Sequence, residues 1–306
     1  MFNSLKLALQ SFKKNWKDYL AISFVFSAIV FIGVLIGQSM IGMLLAFVGI
    51  VIPAIISLKF CVFQSYNKDK VEYRSLKIGF MTFFKSIKIY SIVILKPLLI
   101  AFVVGSFVYS FFLSSGIEVA SKTIPNLVEA LANYDTFIYT YEEMLGIEEV
   151  KKILNTGLIV SLSIGYLVYF SLKLKRDFIP FVAFEMPITS KRAVAMNQKV
   201  LKGRYIKFFI TNFLIVLMFV VPGLLAYLTK IGLESNAVYS STTVFLMSAL
   251  VFCLVSGPIA TLKQLHYIYA YKAYSKPFEE DFNNELKNVI KEIEELQKII
   301  NEKDEK

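Results

Sequence analysis

Residues 19–37 read YLAISFVFSAIVFIGVLIG, an uncharged run directly after a segment that carries Lys13, Lys14 and Lys17. A helix needs about 20 apolar residues to cross a hydrocarbon core about 30 Å thick, so this run is long enough to span. Comparable runs follow, which predicts spans at Tyr19 to Gly37, Ser39 to Phe63, Ser91 to Leu113, Gly157 to Leu172, Phe208 to Thr229 and Thr242 to Leu262. None contains Asp or Glu, although the connecting segments are dense in charge. Lipid offers the backbone no hydrogen bonds, so spanning segments of this kind fold as helices. The expected fold is all-α: a polytopic membrane helix bundle with six spans, interfacial amphipathic helices and a C-terminal cytoplasmic helix. A chain that is 56% hydrophobic over 306 residues is too apolar for one soluble core.

The formal net charge of +10 is explained by orientation, without a nucleic acid partner. Only Lys122, Lys151, Lys152 and Lys230 fall on the side opposite the N-terminus, and the positive-inside rule then places both termini in the cytoplasm. The segment Ser114 to Thr156 carries Glu118, Glu129, Asp135, Glu142, Glu143, Glu148 and Glu149, as suits the outer face, with Glu142 to Leu154 expected as a short capping helix. The first span is too long for a signal peptide and reads as an uncleaved anchor. Cys61 and Cys253 lie within spans, in no CxxC or Cys/His cluster, and read as core residues. Lysine far outnumbers arginine, and Ile, Phe, Tyr and Asn are abundant, a composition associated with AT-rich bacterial genomes; a multi-pass protein of the bacterial plasma membrane is expected.

An internal repeat organises the chain. Ser-Leu-Lys recurs at Ser4, Ser57, Ser75 and Ser171. Two copies open basic segments, Ser4 to Tyr19 and Ser75 to Tyr90, and a third segment, Ser190 to Tyr205, keeps the serine, a basic residue and the tyrosine. The other copies, with Thr261-Leu262-Lys263, end the second, fourth and sixth spans. Three units follow, each a basic amphipathic helix and then a helical hairpin. In the first two helices Leu5, Leu9 and Phe12, or Ile78, Phe80 and Phe83, would dip toward acyl chains. Lys6, Lys13, Lys14, Lys17, Lys77, Lys85, Lys88, Arg192 and Arg204 would face anionic lipid.

Lys96 is the ionisable residue expected deepest in a span, next to Pro97, and is a candidate for an anionic ligand or a snorkelling lysine. Lys59, Lys173 and Lys263 are candidates for the same ligand at the span ends. Pro53, Pro97, Pro222 and Pro258 are expected to kink their spans. His266 lies in a run with Tyr267, Tyr269, Tyr271 and Tyr274 that reads as an aromatic anchor at the interface. No motif for hydrolysis, nucleotide binding, a metal or another cofactor is present, and no row of intramembrane carboxylates suits ion-coupled transport.

Residues 1–277 are read as the six-span domain, with the acidic outer segment at 114–156. Residues 278–306 form a cytoplasmic coiled-coil-like helix with Leu286, Val289, Ile293, Leu296 and Ile300 at heptad spacing. That helix could self-associate, meet a protein partner or fold back on the basic face.

Ser190-KRAVAMNQKVLKGRYIKF-Phe209, with Gly257-Pro258 and the tyrosine-rich end, resembles a widespread group of six-helix bacterial integral membrane proteins of unassigned function. The resemblance lies in an Ala-rich amphipathic segment ending in Lys-Gly before the fifth span and a proline in the last. It covers the final third by motif and the rest by topology, and implies a fold but no catalytic residues. The function expected is non-enzymatic: organising membrane lipid, anionic lipid in particular, or a protein partner at the inner face. The alternative is a permease subunit of an ATPase-driven transporter.

Overall fold

The computed structural model describes residues 3–37, 39–68, 71, 73–85, 89, 91–132, 134–185, 189–235 and 239–304. In order, the helices are α1 (Asn3–Lys14), α2 (Trp16–Ile36), α3 (Met40–Ala46), α4 (Ile52–Lys68), α5 (Arg74–Lys85), α6 (Lys96–Ala120), α7 (Leu127–Ala132), α8 (Tyr134–Gly146) and α9 (Glu148–Leu174). They continue with α10 (Ile179–Glu185), α11 (Ser190–Leu201), α12 (Tyr205–Leu217), α13 (Val220–Glu234), α14 (Ser241–Ser275) and α15 (Glu279–Asp304). No strand occurs among the described residues.

The protein is an all-α, multi-pass membrane protein. Six helical stretches are long and apolar enough to cross a bilayer: Trp16–Ile36, Phe47–Lys68, Ser91–Ala120, Glu148–Glu185, Tyr205–Glu234 and Ser241–Glu295. Each contains the run expected from sequence or most of it.

The prolines act locally. A proline lacks an N–H and its ring clashes with the carbonyl four residues back, here Gly49 for Pro53 and Val93 for Pro97. Both carbonyls lie in wider π-helical turns, Phe47–Val51 and Ser91–Leu95, which accommodate the clash without ending the helix. Pro222 stands in the first turn of α13, where it needs no intrahelical donor, and divides the fifth span into α12 and α13. Pro258 is inside α14.

The three basic segments before the hairpins all form helices, α1, α5 and α11. Thr189 caps α11, accepting a hydrogen bond from the Arg192 amide.

The chain divides into two compact units, Met1–Tyr90 with Lys175–Lys306, and Ser91–Leu174. In the first, α2 and α14 pack through small residues. Ser23 Oγ lies 2.7 Å from Thr261 Oγ1, Ser27 Oγ donates to the Cys253 carbonyl at 2.6 Å, and Gly257 lies so close that a methyl there would meet the Ser23 carbonyl at 2.7 Å. Without a hydrophobic force between helices in lipid, such close approach and hydroxyl bonding hold them together. Ser57, from the second Ser-Leu-Lys copy, donates to the Leu76 carbonyl of α5, so two copies of the repeat meet. Cys61 and Cys253 are buried, in no disulfide.

In the second unit α6 and α9 approach where Gly105 faces the Ser161 carbonyl and Gly165 that of Ala101. A groove of about 560 Å³ runs along this hairpin, walled by Leu98, Phe102, Leu113, Leu158, Leu162 and Tyr166. The acidic segment has its own apolar core of Ala120, Ile124, Leu127, Met144, Val150 and Leu154. The helix expected at Glu142 to Leu154 is split: α8 ends at Gly146, and Glu148 opens α9, which continues as the fourth span.

Candidate functional site

Charged and aromatic residues at or beyond the ends of the second, fourth and sixth predicted spans converge in the first unit. α4 brings Lys59, the turn at 175–178 brings Asp177, α10 brings Phe181, and α14 brings Tyr267. Lys59 Nζ donates to the Asp177 main-chain carbonyl at 2.8 Å and lies 3.4 Å from its Oδ1, with the Phe181 and Tyr267 rings at 4.9 and 5.4 Å. Lys59 is 5% exposed and Asp177 1%. Burial of a charge requires a partner, and here it is internal. Lys59, a candidate from sequence for lipid or an anionic ligand, thus has its ammonium engaged with Asp177 inside the protein.

Part of the tyrosine run after the sixth span is likewise core, with Tyr269 and Tyr274 half-buried. His266, Tyr267 and Tyr271 are fully buried, enclosed by Phe178, Phe181 and Phe208. At 35 residues, α14 is about 52 Å long at 1.5 Å per residue, well beyond a 30 Å hydrocarbon core. Its C-terminal turns are thus covered by protein, and the aromatic-anchor reading of the run gives way to a packing role. The His266 ring nitrogens find no hydrogen-bond partner among the described residues.

Beside this core, Glu185 accepts from Tyr271 Oη and pairs with Lys272. The pair lines a polar cavity of about 410 Å³ with Tyr66, Lys276, Glu279 and Phe282, roofed by α15.

The remaining site candidates lie on several elements of the two units. Lys96 is exposed at the first residue of α6, five residues into a stretch that begins at Ser91, so it lies near one end of a 30-residue apolar helix. Lys173 is half-buried in the last turn of α9. Lys263 is half-buried over the Tyr267 ring. Arg204 donates to the Tyr274 carbonyl and stacks on its ring at 5.3 Å, which fastens the start of α12 to α14. Lys77 is exposed on α5. Lys88 and the side chains of Phe80, Phe83 and Lys85 lie outside the described residues.

α1 keeps its lysines at the surface. It seats Ala8, fully buried, and packs against α14, while its Lys6, Lys13 and Lys14 are exposed, as is Lys17 in the first turn of α2. Leu5, Lys6, Leu9, Gln10 and Lys13 surround an apolar hollow of about 320 Å³, and Leu7, Leu9 and Trp16 remain 39%, 49% and 51% exposed. Phe12, expected to face acyl chains, is half-buried and stacks on Tyr19 instead.

α11 is treated differently. Arg192 and Lys199 face α15, and carboxylates of α15 engage both. Arg192 has its pKa raised, first by its hydrogen bond to Glu292. Sequence reading placed these basic residues on one helix; it missed that their partners lie some 80 to 100 residues on.

The chain matches no family model, no curated protein and no solved structure. Its function is read from its own residues.

Proposed function

We propose that this is a non-enzymatic, multi-pass protein of the bacterial plasma membrane, with both termini cytoplasmic, that organises anionic lipid at the inner face. The observation that carries the reading is α1: a docked amphipathic helix whose exposed apolar side chains and apolar hollow are bordered by Lys6 and Lys13. An acyl chain suits the hollow and a phosphate headgroup suits the lysines. In this reading α5 contributes Lys77 in the same way, Lys96 snorkels to the headgroup level, and Lys173 and Lys263 stand where spans meet that face. Residues 278–306 provide the cytoplasmic helix through which a protein partner or a second copy would be met.

Trp16 is the single tryptophan of the chain and stands half-exposed where α1 meets α2, so it reports on the lipid beside α1. Reconstituted protein is mixed with brominated phosphatidylglycerol or brominated phosphatidylcholine and Trp16 quenching is recorded. Stronger quenching by the anionic lipid at equal mole fraction is expected. Equal quenching by both would remove the basis for this function.

A further inference from the structure

α15 lies on α11 through ion pairs whose geometry is that of an anion site already filled. The Arg192 guanidinium donates Nη1 to Glu292 Oε2 at 3.0 Å and Nη2 to Glu292 Oε1 at 2.7 Å, while its Nε lies 3.2 Å from Glu285 Oε1. Two turns along the same helix, Lys199 Nζ lies 3.2 Å from Asp281 Oδ2. The order of the pairs makes the two helices antiparallel. A guanidinium fork recognises carboxylate and phosphate oxygens with the same planar, paired geometry.

We infer that Arg192 and Lys199 form a headgroup-phosphate site on α11, that the α15 carboxylates occupy it as internal anions, and that an anionic bilayer displaces them. The inference rests on the lipid-organising reading above and adds its regulation. The contrast within the repeat supports it. On α1, Lys6 and Lys13 have no carboxylate partner among the described residues, whereas the equivalent helix of the third unit is covered by an acidic one. The cover is also lightly held. Phe282 and Val289 are buried, but Ile290 and Ile293 stay 47% and 40% exposed, so a narrow apolar seam secures α15. The ion pairs are open to solvent, with side-chain exposures of 54% at Glu292 and 58% at Lys199, and such pairs are weak and screened by salt. A bilayer surface that presents many phosphates at once outcompetes three carboxylates on one helix.

The test uses the full chain with spin labels at Ala195→Cys on α11 and Asn288→Cys on α15, both exposed positions, with Cys61 and Cys253 buried. Distances are measured in lipid discs of phosphatidylcholine alone and of phosphatidylcholine with an equal part of phosphatidylglycerol. A single short distance is expected in the neutral discs, and its replacement by a longer population in the anionic ones. The full-length variant Glu285→Gln with Glu292→Gln should show the longer population in neutral discs as well. Glycerol phosphate at matched ionic strength should leave the short distance in place; opening by that soluble anion alone would overturn the assignment to a bilayer. An unchanged distance in anionic discs overturns the inference. Trp16 quenching in the same discs separates the two readings: anionic preference at Trp16 with an immobile α15 sinks only this inference, whereas no preference sinks the lipid-organising reading too.

Discussion

Lys59 and Asp177, 118 positions apart in the chain, are joined by a hydrogen bond from Nζ to the main-chain carbonyl and by a 3.4 Å ion pair, both side chains being nearly inaccessible. This contact ties the end of the second span to the turn after the fourth. Removing one member breaks a buried ion pair, which costs about 3 to 5 kcal/mol, whereas replacing both with apolar groups of similar size is often neutral. Lys59→Met and Asp177→Leu should each lower the thermal unfolding temperature in detergent. The double variant Lys59→Met with Asp177→Leu should lose less than the sum of the single variants. Additive losses would show that the two side chains do not act as a pair.

Gly257 gives a sharper test of helix packing. A methyl there would meet the Ser23 carbonyl, so Gly257→Ala must push α2 from α14 and should cost about 1 to 3 kcal/mol. Gly223 is the control: a methyl added there would meet nothing within 4 Å, and Gly223→Ala should be neutral or stabilise α13 by up to about 1 kcal/mol through helix propensity. Thermal unfolding of both variants in one detergent decides it, and equal behaviour would argue against the α2–α14 contact.

What the sequence made legible was whatever depends on local pattern. The apolar runs placed the six spans because length and hydropathy suffice for that, and one Ser-Leu-Lys copy marked the start of α5 to within one residue. Partner choice was not legible. Lys59 in a span-ending Ser-Leu-Lys looked like Lys173 in another, and only the folded turn at 175–178 distinguishes a buried pair from a half-exposed lysine. The tyrosine run illustrates the same limit, because amphipathic aromatics suit both an interface and a buried core, and the length of α14 beyond the bilayer thickness decides between them. The acidic face of residues 278–306 was visible, as was the basic face of α11, but like charges are interchangeable in sequence and the pairing of Arg192 with Glu285 and Glu292 required the structure.

The acidic segment of the second unit should behave as a folded element. Met144 is fully buried among Ala120, Leu127 and Val150, so Met144→Ala should cost about 2 to 5 kcal/mol locally. Hydrogen exchange should accelerate across residues 121–147 and leave the apolar stretch of α6 protected. Protection of 121–147 that is low in both proteins would show that this core does not order the segment.

The lysines that border the hollow of α1 carry the functional reading and can be removed without touching the core, since Lys6 and Lys13 are exposed and Ala8 supplies the docking contact of α1. Glutamine keeps a polar side chain, about one atom shorter, without the charge. If phosphate headgroups are drawn to this helix by charge, Lys6→Gln with Lys13→Gln should reduce the phosphatidylglycerol preference seen by Trp16 quenching roughly tenfold. The preference of the unmodified protein should itself decline as salt shortens the screening length from about 10 Å at 0.1 M to about 3 Å at 1 M. The two effects are linked: once the lysines are gone, added salt should have little left to screen. A preference that survives both changes would mean that Leu5, Leu9 and the apolar hollow select the lipid by shape, and the charge-based account of α1 would fail.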